Sequence, residues 1–291
     1  MRLRFAVWLW AAALFGQEFS GIQLEKFAWG FNYTEGPVWT PRDGLIFADV
    51  PMNLVYRVKA GGTPAVLRRD SGGTMGEALD AKGRLYMCET TGRRVVRMDE
   101  GGRIEVLAER WEGKRLNAPN DIVVRRDGSA WFTDPAFGSA QDTRELDFYG
   151  VFHIAPSGKL DVLAKPKGRP NGVALSPDGK TLYVTNSDER NVRAYRLDRK
   201  GDAEGETVVV SFVEGVPDGI CTDEQGNLYV AARKLFIYSP KGQLLWALPL
   251  EETPTNCAFG DADMKSLFVT TRTTVFRLRM PVKGWGVDER Q

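Results

Sequence analysis

Glu35, Met75, Asn120, Asn171, Asp218 and Thr255 open six similar segments of this sequence, at spacings of 40, 45, 51, 47 and 37 residues. A purely structural repeat would carry one residue type at such a position. Here two carboxylates and two amides stand in four of the six copies. Brought together, the carboxylates repel and each loses hydration, a conflict that a cation resolves. The set is all oxygen, with no His or Cys. That suits a hard divalent ion, Ca²⁺ first and then Mg²⁺ or Mn²⁺, whereas Zn²⁺ can enter but prefers nitrogen or sulfur. Few protein ligands leave positions free for water or substrate, as a catalytic metal requires. The alternative is that these residues cap strands by hydrogen-bonding backbone groups around a channel.

The elements that must bring them together are legible in the repeat. The copies read EGPVWTPRDGLIFADV, MGEALDAKGRLYMCET, NDIVVRRDGSAWFTDP, NGVALSPDGKTLYVTN, DGICTDEQGNLYVAA and TNCAFGDADMKSLFVTT. In each, a first segment alternates apolar residues, as in Ile122 with Val124 and Val173 with Leu175, the period of a strand. Turn pairs follow at Asp43-Gly44, Lys82-Gly83, Asp127-Gly128, Asp178-Gly179 and Gln225-Gly226, where Gly accepts positive φ. A second run is rich in Leu, Tyr, Phe, Trp and Val, and two further strands complete each copy. A four-stranded sheet cannot bury both faces alone, but six arranged around an axis can. The expected fold is therefore all-β: a six-bladed β-propeller with four antiparallel strands per blade and a metal site on its axis. The segment from about Ile22 to Tyr33 is expected to add the outer strand of the last blade and close the ring.

The first strand of each blade lies innermost, so the six opening residues converge at one mouth of the channel. The second strand ends where the first begins, which places Asp49, Glu89, Asp134 and Asn186 near the same mouth, with Asp121 beside Asn120. These read as acceptors that orient ligands, or, for Asp49 and Glu89, as strand-end residues.

The chain has 291 residues, 43% hydrophobic and 26% charged, with a formal charge of +1. This balance gives no electrostatic grip on nucleic acid. Basic pairs such as Arg68-Arg69 and Arg125-Arg126 read as solvated faces. Arg2 and Arg4 precede an apolar run from Phe5 to Phe15 and a small residue, Gly16. That pattern reads as a secretory signal over residues 1–16, followed by one propeller domain over 17–291 in a secreted or periplasmic protein. The run is too short for a membrane span, which needs about 20 residues, so no membrane association is expected after signal removal. Cys88, Cys221 and Cys257 are odd in number and match no zinc spacing. They read as small buried hydrophobes.

Several chemistries are excluded. The only histidine, His153, lies in the outer-strand run GVFHI, away from the mouth, so a Ser-His-Asp or Cys-His mechanism has no base. There is no Gly-x-Ser-x-Gly elbow. The DGKT fragment at 178–181 lacks the required earlier glycine, since position 174 is Ala, and is a hairpin turn.

The motifs EGPVW at 35–39, RLNAPNDIVV at 115–124, WFTDPAFG at 131–138, RPNGVALSPDGKTLYVTNS at 169–187, PDGICTDEQGNLYVA at 217–231 and PTNCAFG at 254–260 occur in order at blade spacing. With them the chain resembles the SMP-30/gluconolactonase/LRE family of six-bladed propeller lactonases. The resemblance implies a divalent metal, usually calcium or zinc, held by Glu35, Asn171 and Asp218. It also implies that Asn120 contacts the metal directly or through substrate. The activity implied is hydrolysis of a small-molecule sugar lactone such as gluconolactone. Asp218 then serves as metal ligand and as base for the attacking water, with Asp121 the alternative base. Two positions depart from family patterns: Ala118, where some members carry a substrate-holding Arg, and Cys88-Glu89-Thr90-Thr91, where many bacterial relatives read Cys-Glu-His-Gly. Other readings of the same metal mouth are a propeller acting on phosphotriesters or aromatic esters, with Phe137, Phe148 and Tyr149 lining a pocket, and a non-enzymatic binding propeller.

Overall fold

The computed structural model describes Phe19 and residues 21–286; the signal expected over 1–16 lies outside these residues. Six four-stranded antiparallel sheets form the blades of a propeller. Their inner strands are Thr34–Thr40, Thr74–Leu79, Ile122–Val124, Pro170–Leu175, Ile220–Thr222 and Asn256–Gly260. Each continues outward by hairpins through three neighbours. The sixth blade takes its outer strand, Leu24–Trp29, from the start of the chain, where it pairs antiparallel with Thr274–Arg279. The ring is thus closed by strands about 250 residues apart in sequence, as the residues before the first copy led one to expect. Among the described residues, no helix is long and apolar enough to cross a membrane.

The five predicted turn glycines, Gly44, Gly83, Gly128, Gly179 and Gly226, all have positive φ, between 65° and 90°. The hairpins therefore form where the Gly pairs predict them.

Blades pack face to face, and one apolar cluster fills each of the six interfaces. The second strand of each blade serves two interfaces at once. In Gly44–Asp49, Ile46 and Ala48 face blade 2, whereas Leu45 and Phe47 face blade 6. In Ala130–Asp134, Phe132 faces blade 2 and Trp131 faces blade 4. The second runs are continuously apolar because both of their faces are buried.

Two insertions contribute to the 45- and 51-residue spacings. A short hairpin, Arg110–Trp111 with Lys114–Arg115, follows blade 2. A 3₁₀ helix, Gly138–Thr143, lies in the blade 3 insertion. The rings of this insertion are engaged locally rather than left as an open wall. The Arg169 guanidinium lies 4.7 Å from the Phe137 centroid, Phe148 packs on Trp111 and Phe152, and the Tyr149 hydroxyl donates to Gln141.

Candidate metal and substrate site

The backbone around the mouth is a belt of bonds between neighbouring blades. Gly76 N–H donates to Asn120 O at 2.7 Å, Gly172 N–H to Asp218 O at 3.1 Å and Gly219 N–H to Thr255 O at 2.8 Å. Threonine hydroxyls tighten it: Thr133 donates to Asn171 O at 2.5 Å, Thr185 to Asp218 O at 2.6 Å and Thr255 to Thr34 O at 2.7 Å. The blades approach so closely that a side chain is excluded at the second position of four copies. A Cβ on Gly172 would lie 2.5 Å from Asp218 O, and one on Gly36 2.0 Å from Met75 O. Four of the six copies accordingly carry Gly there, at 36, 76, 172 and 219; the exceptions are Asp121 and Asn256.

On this belt, Glu35 and Asn171 are buried, and each keeps one oxygen without a hydrogen-bond partner: Glu35 Oε1 and Asn171 Oδ1. The other Glu35 oxygen accepts from Gly36 N–H at 3.1 Å. Asn171 is oriented by its own amide, whose Nδ2 donates to Ser187 Oγ at 3.1 Å, leaving Oδ1 free. Asp218 is only partly buried, and the Asn171 side chain counters part of the upward shift of its carboxyl. Asn120 is buried and held by both backbone groups, through Thr133 O and Gly76 N–H.

The electrostatics match the conflict expected of converging carboxylates. Burial, then Asp218 and Asp121, push Glu35 well above the usual carboxylate range. Burial and then Asp121 push Asp218 up to about 7, and burial alone raises Asp121 to about 7. None of the three has an Arg or Lys partner among the described ion pairs. Tyr33, at the lip, is also pushed up, by burial and then by Asp218 and Glu35. Unpartnered buried oxygens beside mutually repelling carboxylates are a donor set that fits a hard divalent cation. Among the described residues there is no group of three or more His, Cys, Asp and Glu side chains arranged to hold a metal. The set therefore depends on amide oxygen as well as on carboxylates.

Asp121 lies one layer below. Its Oδ2 accepts from Val173 N–H at 2.9 Å, tying blade 3 to blade 4, and the Asn256 side chain counters part of the upward shift of both Asp121 and Glu35. Asn256 Oδ1 accepts from Cys257 N–H at 2.8 Å. Asn256 and Tyr33 are neighbours of the site that the opening column does not reveal. A signal for Asn256 exists, since it breaks the glycine pattern of the second column.

The acceptors at the second-strand ends hold loops. Asp49 accepts from Asn32 and Tyr33 N–H, Asp134 from Asn117 and Ala118 N–H, and Asn186 Oδ1 from Glu189 N–H. Glu89 is paired with Arg68 and Arg94, both at 2.6 Å. They shape the mouth through its backbone. His153 is buried, stacks 4.9 Å from Trp131 and has neither ring nitrogen hydrogen-bonded. Below the mouth the channel widens into a cavity of about 710 Å³, lined by apolar residues including Val38, Ile122, Val173 and Phe259. Glu35, Asn171 and Asp218 do not line it, whereas Asp121, Asn256 and Glu77 do.

A family model for the SMP-30/Gluconolactonase/LRE-like region matches residues 33–273, from Tyr33 at the lip to blade 6. The chain belongs to the SMP-30/gluconolactonase/LRE family. A gluconolactonase from Zymomonas mobilis is 30% identical over 90% of this chain and 82% of its own length. A pentonolactonase from Haloferax volcanii is 27% identical over 81% and 80%. The structure of a gluconolactonase from Xanthomonas campestris superposes with a TM-score of 0.84 at 34% identity, covering 90% of each chain. Within the SMP-30/gluconolactonase/LRE fold, a calcium-binding regucalcin from Agrobacterium tumefaciens shares the architecture at 20% identity and a TM-score of 0.77.

Proposed function

We propose that this protein is a divalent-metal-dependent lactonase that opens a sugar lactone at the mouth carrying Glu35, Asn120, Asn171 and Asp218. The observation that carries the reading is the pair of buried, unpartnered oxygens, Glu35 Oε1 and Asn171 Oδ1, beside the half-open Asp218. Those three residues would hold the ion, with Asn120 completing the set or orienting substrate. Ca²⁺ is the preferred ion because every donor is oxygen. An ion held there would supply Lewis acidity for lactone hydrolysis.

The protein's own groups do the rest. Asp218 keeps an open side, so it takes the proton of the attacking water and returns it to the ring oxygen as the ester bond breaks. Asp121 is the weaker choice of base, because one of its oxygens is already bonded to Val173 N–H. The Asn120 side chain holds a substrate hydroxyl against the ring. Relatives named for gluconolactone and pentonolactone hydrolysis support an aldonolactone as substrate. Residues 1–16 retain the pattern of an export signal, and we place the working protein outside the cytoplasm.

The test is turnover of an aldonolactone panel by the purified protein, with and without chelator, alongside Asp218→Asn. Chelation and the substitution should each reduce kcat/KM by at least about 100-fold. Turnover that is insensitive to both would refute the reading.

A further inference from the structure

We infer that Cys221 and Cys257 form a disulfide that locks blade 5 to blade 6 beneath the mouth. The two residues lie on the inner strands of neighbouring blades, 36 positions apart, with their sulfurs 3.0 Å from each other. That is closer than two unbonded sulfurs rest, and within about 1 Å of the bond length of about 2 Å. The backbones are already pressed together at this level. A Cβ on Gly219, two residues before Cys221, would lie 2.6 Å from the Cα of Asn256, the residue before Cys257. Both cysteines line the axial cavity and Cys221 is only partly buried, although burial and then Cys257 push its thiol up, so that exchange is slow. Cys88 is fully buried in the cluster between blades 2 and 3 and stays a thiol.

The chemistry is thiol–disulfide exchange with a small-molecule disulfide as oxidant. The Cys221 thiolate attacks the oxidant and releases one thiol. The Cys257 thiolate then attacks the Cys221 sulfur, releases the second thiol and forms the Cys221–Cys257 bond. The oxidant gains two electrons, and the two protons leave with its thiols. The bond restrains the segment carrying Asp218 and the segment carrying Asn256 as one unit, and it closes a loop that spans the outer strands of blade 5.

The experiment exposes the full chain to excess oxidised glutathione, quenches with acid, then counts thiols in denaturant and maps peptides by mass spectrometry. One thiol per chain should remain, on Cys88, with a peptide pair joined through Cys221 and Cys257. The midpoint of thermal unfolding should stand roughly 5–10 °C above that of the dithiothreitol-treated protein. Cys88→Ser should retain that difference, and Cys221→Ser and Cys257→Ser should each abolish it. Comparing oxidised and reduced wild-type protein keeps the test decisive if a serine variant fails to fold. Three free thiols after prolonged exposure, a stable glutathione adduct on Cys221, or a link through Cys88 would each overturn the inference.

Discussion

The side-chain amide of Asn171 donates to the Ser187 hydroxyl at 3.1 Å, and that hydroxyl donates in turn to Pro217 O at 3.0 Å. Asn171 and Ser187 sit on the first strand and just past the second strand of blade 4, while Pro217 immediately precedes Asp218. The pair therefore fixes which face of the Asn171 amide is turned to the axis and couples it to the segment bearing Asp218. Ser187→Ala removes the acceptor without touching a proposed ligand. Metal affinity should fall about 10–100-fold, with kcat near wild type once metal saturates. Calorimetric titration with Ca²⁺ measures this, and unchanged affinity would count against the relay.

Glu35 and Asp218 repel each other in the metal-free protein. Glu35→Gln and Asp218→Asn should lower metal affinity at least 100-fold while leaving metal-free stability unchanged or raised by about 1–2 kcal/mol. Denaturant unfolding in chelator reads the second effect. A loss of metal-free stability on either substitution would mean that the carboxylates hold the fold rather than an ion.

The pH dependence has a definite sign. Asp121, Asp134 and Asp218 are raised to about 7, and Glu35 and Glu77 stand well above the usual range, chiefly through burial. A carboxyl whose folded value is raised stabilises the fold below its unfolded value, about 4, and loses that contribution as pH climbs through the folded value. In chelator, the unfolding midpoint should therefore drop from pH 5 to pH 8. Saturating Ca²⁺ should flatten the drop, since the ion then offsets the charge at Glu35 and Asp218. A midpoint that rises with pH in chelator would contradict the assignment.

Two kinds of glycine can be told apart. Gly172→Ala drives a methyl to 2.5 Å from Asp218 O, whereas at Gly128 nothing lies within 4 Å and only a φ of +90° opposes the change. Gly172→Ala should destabilise by about 2–4 kcal/mol and impair metal binding, because neighbouring blades must part. Gly128→Ala should lose about 1–2 kcal/mol, with metal affinity intact. Urea titration and metal binding on both variants decide the matter.

His153 is shut between Trp131 and Gly201 with both nitrogens unbonded. His153→Asn should keep kcat/KM within about two-fold, apart from any fall in stability. A large loss of kcat with native stability would reinstate histidine chemistry.

The blade count, the hairpin turns and the convergence of Glu35, Asn120, Asn171 and Asp218 follow from the chain alone. A repeat with period-2 alternation and Gly turns leaves one way to bury both faces of six sheets, and that geometry places the opening residues on the axis. The closing strand Leu24–Trp29 was equally legible, since a ring needs its last blade completed. Contacts across the ring were not. Thr255 joins Thr34, Ser187 orients Asn171, and Cys221 meets Cys257, because neighbouring inner strands approach to glycine distance. Asp49, Glu89 and Asp134 turned to the mouth loops because backbone N–H groups and arginines lay nearer than the axis. Sequence carries periodicity within a blade. The gaps between blades are set by ring closure over 200 residues, and only the folded molecule determines which side chains fill them.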